Sequence, residues 1–262
     1  MTETTALDTA HTAMEASPGD DLARLRFFER LADCELFLML TEEAQGENIS
    51  PELFDVADGR FVLAFDREDR LAQFAGKPVP YVALSGRILS SMLAGQGIGL
   101  GLNLEVAPSS TLIPAEALEW LATTLEHSPT EVEEKMAEFL PPTGLPETLL
   151  SALDTKLSTA MGLAQAAYLV GTKSELGAQG HLLGFVGAVE GAQSALAKAA
   201  SEALTFSGIE AGAMDVGFFP PDAPAAAVLA KVGLRFDLPQ PQSHAVERAA
   251  PGRDPDKPPV LN

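Results

Sequence analysis

Basic residues are scarce in this chain. Lys and Arg number 17 against 37 Asp and Glu in 262 residues, and the formal net charge is -20. So acidic a surface repels phosphate backbones and anionic lipid. No local basic patch interrupts it, which argues against nucleic acid and membrane surfaces as partners; the charge itself reads as solubility. Cysteine is nearly absent. Cys34 stands alone, so no internal disulfide can form. Asp33 and Glu35 flank it, and carboxylates raise a thiol's pKa, so Cys34 reads as an inert buried thiol before an apolar run. No apolar run reaches the roughly 18 residues that cross a bilayer. The N-terminus has no basic segment followed by an apolar one, so no secretory signal is expected and the compartment reads as cytoplasmic.

Reactive constellations are equally thin. His11, His127, His181 and His244 are scattered. His11 and His244 fall in segments that read as disordered, His127 in a linker, and His181 at a strand start, where a surface or satisfied histidine is the default. No HExxH, CxxC or His/carboxylate cluster offers metal ligands, and no GxSxG elbow, Cys–His pair or Walker loop is present. Glu42-Glu43 and Glu133-Glu134 lie in polar connections, where solvated charge explains them. No catalytic residue, metal or cofactor is expected.

What the chain does have is apolar material, 46% of its residues, enough for two cores at this length. Its best-determined stretch runs from Tyr81 to Leu125. Val79 to Leu84 reads as a strand. Ser85 can cap a helix carrying Ile88, Leu89, Met92 and Leu93, which Gly95 ends. From Gly97 the period becomes two: Gly97, Gly99, Gly101, Asn103 and Glu105 on one side, Ile98, Leu100, Leu102, Leu104 and Val106 on the other. A face bare of side chains means close packing. A helix lying on the sheet is one occupant; a ligand or a partner's backbone is the other. The alternate glycines are not the GxGxxG of a dinucleotide turn. Leu112-Ile113 and Pro114 then lead into a helix with Leu118, Leu121 and Leu125.

Elsewhere, residues 1–19 read as disordered. A helix follows from Asp20 or Asp21 to Leu31, and strands lie at Glu35–Leu40, Leu53–Val56 and Phe61–Phe65. Asp66 is the expected cap of a helix ending at Gly76. The pair Gly59–Gly76 and Gly97–Leu121, in that order, resembles the N-terminal domain of the SseB family, bacterial proteins named for enhanced serine sensitivity. The resemblance covers about residues 20–125, and the family's C-terminal domain is expected at 146–238. Where the family's glycine-containing strand runs into an Asn-Pro-Gly turn, this chain has Asn103-Leu104-Glu105. The resemblance implies a cytoplasmic α/β protein of regulatory character, linked to serine or sulfur metabolism, with no catalytic residues to carry over.

The expected architecture is α+β: two small α/β sandwich domains with mixed or antiparallel sheets, helices packed on them and disordered termini. The boundaries are 1–19 disordered, 20–127 first domain, 128–145 linker with a short acidic helix, 146–238 second domain, and 239–262 disordered tail. In the second domain the order α-β-β-α-β places helices on one face of a small sheet, with an antiparallel hairpin across residues 173–180. Two functional readings follow. One is a non-catalytic regulatory or interaction protein with a protein partner. The other is a small-molecule-binding protein or enzyme whose pocket lies over Gly97, Gly99 and Gly101, with Asn103 supplying hydrogen bonds and Ser109 or Ser110 lining the mouth.

Overall fold

The computed structural model describes residues 3–44, 46, 48–56, 59–126, 136–174, 179–209 and 214–240. The segment expected to be disordered at the N-terminus carries a helix, α1 (Ala6–Ala16). A capping box starts it: the Thr5 hydroxyl accepts from the Asp8 N–H, and the Asp8 carboxylate accepts from the Thr5 N–H. Each residue thereby satisfies a donor that a first turn leaves free.

The first unit continues through α2 (Asp21–Asp33), β1 (Glu35–Met39), β2 (Leu53–Val56), β3 (Gly59–Phe65), α3 (Glu68–Ala75), β4 (Tyr81–Ser85), α4 (Gly86–Leu93), β5 (Ile98–Leu102), β6 (Thr111–Ile113) and α5 (Ala115–Glu126). The strands form one mixed sheet in the order β4-β1-β3-β5-β6, with β2 also on β3. The β3–β5 pair is parallel, joined by the crossover through α3, β4 and α4. Alternation along the strands gives the sheet two apolar faces. Leu36, Leu38, Val62, Ala64, Leu100 and Leu102 pack with Phe27, Leu31, Leu89, Leu118 and Leu121 of α2, α4 and α5. On the other face Met39, Leu63 and Phe65 meet Leu71 of α3, with Leu104 and Val106 alongside. Asp66 does not cap α3. Arg67 holds the N-cap position without a side-chain cap bond, and the Asp66 carboxylate turns to Thr5 and Arg70.

The second unit comprises β7 (Met136–Leu140), α6 (Glu147–Ser158), β8 (Ala166–Ser174), β9 (Gln179–Val186), α7 (Gln193–Phe206), β10 (Asp215–Phe219), α8 (Pro224–Val232) and β11 (Leu234–Asp237). Its mixed sheet runs β10-β9-β8-β11, with β7 also on β8. The expected hairpin is there: β8 and β9 pair antiparallel from Ala166↔Val186 to Lys173↔Gln179. Three expectations are corrected. Residues 128–145 are not simply a linker, because Met136–Leu140 is a strand of this sheet. The reason is the length of β8: β11 covers Ala166–Leu169, and β7 takes the remaining edge from Gly171 to Ser174. The acidic helix expected before it falls largely at 127–135, outside the described residues. Nor do helices lie on one face alone. Leu169, Leu183 and Phe185 pack on α6 and α7, while Val170 and Leu182 pack on Leu229 of α8, because β8 and β9 are apolar on both sides. The expected tail at 239–262 begins inside the fold: Pro239 O accepts from Gly162 N at 2.8 Å, and Gln240 Nε2 donates to Ala164 O at 2.9 Å. The rest of the tail lies outside the described residues. Among the described residues no helix is long and apolar enough to cross a membrane.

Candidate functional site

The strand of alternate glycines sits where the period placed it, but nothing is open above it. A Cβ at Gly99 would come within 2.5 Å of the Phe61 ring and 2.6 Å of Ile113 O; one at Gly101 would come within 2.5 Å of Leu63. Side chains of the adjoining strand fill the space that a ligand or a helix was expected to take. Gly97 precedes the strand with φ +67° and borders a shallow cleft of about 400 Å³, with Asp55, Arg60 and Gln96 around it. The expected pocket over residues 97–103 is therefore absent at Gly99 and Gly101.

β5 ends at Leu102, so Asn103 and Glu105 do not extend its glycine side. Both adopt positive φ, +48° and +60°, and turn the chain away. Asn tolerates that conformation better than most residues, and here hydrogen bonds hold it. The Asn103 N–H donates to Ala64 O at 3.0 Å, its Oδ1 accepts from Asp66 N at 3.0 Å, and its Nδ2 donates to Ser109 Oγ at 2.8 Å. Ser109 passes the connection on: its hydroxyl donates to Asp8 Oδ1 at 2.5 Å and its N–H to the same oxygen at 3.3 Å. Arg70 closes the network, reaching Asp8 through both terminal nitrogens and Asp66 Oδ1 at 2.8 Å.

This network is dry. Asp8, Asn103 and Ser109 are 0% exposed and Arg70 is 1% exposed. Desolvation alone would favour the neutral Asp8 acid, but hydrogen bonds from Arg70 and Ser109 outweigh it and hold the carboxyl well below its ordinary range. Of the six residues singled out from sequence, Asn103 and Ser109 are brought together, and they are buried rather than lining a mouth. Ser110 is exposed and its hydroxyl accepts from the Glu105 N–H at 3.1 Å, closing the turn. Thr5, Asp8, Asp66 and Arg70 were missed. The signals available were Thr5-Ala-Leu-Asp8 as a capping box and Asp66 four residues before Arg70 on a helical face.

A second charged cluster joins the two units. Lys156 of α6 reaches Asp33 at 2.5 Å and Glu202 at 3.2 Å, with Glu29 at 3.9 Å. Arg87 of α4 binds Glu202 at 2.6 Å and Asp33 at 2.8 Å. Three carboxylates thus share two cations. Burial pushes the Glu29 carboxyl above its ordinary range, against the pull of Lys156, and its Oε1 has no hydrogen-bond partner. No sequence spacing announced this cluster, since Arg87 and Lys156 come from elements far along the chain from the carboxylates they meet.

The histidines divide. His11 is buried in α1, edge-on to Phe27 at 5.4 Å, with Nε2 unpartnered. His181 contacts Thr143 O at 3.0 Å. Burial, with Asp66 and Asp33 adding, pushes the Cys34 thiol up to about 12, the direction its flanking carboxylates implied. Among the described residues no group of three or more His, Cys, Asp and Glu could hold a metal ion. Compared with protein-family models, curated proteins and solved structures, the chain matches none.

Proposed function

We propose that this protein is a non-catalytic regulatory or interaction protein of the cytoplasm that works by binding a protein partner. One observation carries the reading. Among the described residues the two largest polar networks lie wholly or largely inside the fold, around Asp8 and around Lys156, whereas the solvent side of α4 and α5 presents apolar side chains. Ile88 and Met92, one turn apart on α4, are 50% and 41% exposed, and Trp120 on the neighbouring α5 is 41% exposed. Enzyme sites instead bring polar groups together at a cleft. The resemblance to the SseB family adds a proposed link to serine or sulfur metabolism, which the partner's identity would test. Affinity purification from lysate beside a thermal-shift metabolite screen decides the matter. A stable partner lost on Ile88→Lys/Met92→Lys, with no metabolite shift, supports the reading. A strong metabolite shift with no partner would replace it with the small-molecule reading.

A further inference from the structure

The Asp8 network divides unequally. Every group that grips the carboxylate, Thr5 N–H apart, comes from the body of the first unit: both terminal nitrogens of Arg70, and the hydroxyl and N–H of Ser109. Both residues have an anchor outside the α1 segment, although Arg70 Nη2 also donates to Glu3 O at 3.2 Å, just ahead of α1. Asp66 holds Arg70, Asn103 Nδ2 donates to the Ser109 hydroxyl and so commits its proton toward the carboxylate, and Asp66 N fixes Asn103. A charged fork beside a hydroxyl and an amide, each independently positioned, is a preorganised receptor for a carboxylate. The apolar grip of α1 on the core is narrower: Leu7 is its one fully buried apolar residue, Ala10 and Met14 pack half-buried beside it, and the others buried are Asp8 and His11, the latter edge-on to Phe27 with its Nε2 unpartnered. The helix is tied to α2 through the exposed turn at Ser17–Asp20.

We propose that Arg70, Ser109, Asn103 and Asp66 form a recognition site for a carboxylate carried at the start of a helix, and that α1 is its tethered, exchangeable occupant. The incoming segment has the chemistry of α1 itself: Thr or Ser at the N-cap, Asp three residues on, and an apolar residue beside it. The Thr matters because the Thr5 hydroxyl donates to Asp66 Oδ2 at 2.7 Å while accepting from Asp8 N. This rests on the interaction reading above and names the partner's chemistry.

The test uses the full chain with a protease site inserted between Ser17 and Asp20, cleaved after folding. A fluorescent peptide of residues 3–17 should exchange into the cleaved protein, and the same peptide with Asp8→Asn should bind at least about tenfold more weakly. No exchange, or equal binding of the two peptides, overturns the proposal. Should cleavage unfold the chain, the uncleaved Asp8→Ala variant decides. A higher Tm in acetate than in equal chloride, with no such difference for the native chain, supports a carboxylate receptor; an equal response overturns it. Acetate rescue beside a peptide that never exchanges would mark a small-carboxylate site and overturn the helix-borne occupant. None of these failures touches partner capture through α4, which has its own assay.

Discussion

Replacing Lys156 with Met removes a charge while keeping most of the side chain's volume and its apolar stem. In the native protein the ammonium group sits among Asp33, Glu29 and Glu202, beneath a surface that leaves its side chain 6% exposed. Without it, Glu202 stays buried with Arg87, which already serves Asp33, and Glu29 stays buried with only the weaker pull of Arg30. Stripping one partner from a buried pair costs about 3–5 kcal/mol, because an uncompensated charge remains. The lower end applies here. Asp33 is a third exposed, so its share is small, and the carboxylates can regain water if the two units part. A loss of about 3 kcal/mol at neutral pH lowers Tm by roughly 6–12 °C for a chain of this size. Trp120, the single tryptophan, reports on the first unit alone, while far-ultraviolet circular dichroism reports on both. In urea the two probes should coincide for the native chain and separate for Lys156→Met. A variant within about 0.5 kcal/mol of native, with coincident transitions, would refute the reasoning.

Arg70→Met leaves Asp8 and Asp66 facing each other unpaired and should cost about 3–5 kcal/mol by denaturant unfolding; no measurable loss would mean that the network carries nothing. Glu29→Gln should act in the opposite sense. The folded Glu29 binds its proton more tightly than the unfolded chain does, so its contribution is full below the ordinary carboxylate range and lost as pH rises through the raised value. The native chain should therefore lose stability over that rise and the Gln variant should lose less, seen as Tm against pH. Asp8 works the other way. Its lowered pKa contributes stability above the ordinary value that disappears as pH falls below it, so Asp8→Asn should flatten the acid limb. Gly99→Ala should cost about 1–3 kcal/mol, since the Phe61 ring and Ile113 O must both give way; a neutral effect would reopen the space above β5. Cys34 should resist a thiol reagent at pH 8 until the chain is unfolded.

Much of the fold was legible because apolar period reports local geometry. The run Glu35–Leu40 and the stripe Leu118, Leu121, Leu125 lie on elements near the expected bounds, while the period of two that begins at Gly97 holds only through Leu102. The α+β architecture followed from them, whereas the parallel pairs β3–β5 and β9–β10 that make both sheets mixed did not. What failed were partnerships. Leu7 and His11 look ordinary in a polar N-terminal segment, and only Phe27 and the core beyond make α1 a helix worth docking. β7 is a strand because β8 outruns β11, a fact about a distant element. Asn103 and Ser109 were singled out for a ligand. Their hydrogen-bonding capacity was read correctly, but Ser109 meets a carboxylate 101 positions away and Asn103 meets Ser109 and the Asp66 N–H.

The placing of β7 bears on where the chain can be cut. A fragment starting at residue 146 would hold α6 and every later strand, yet it would strip the outer edge of β8 from Gly171 to Ser174. Bare backbone donors and acceptors along that edge are a template for a second chain. The shortened piece should therefore pair with copies of itself, whereas one beginning at or before residue 136 keeps its border closed.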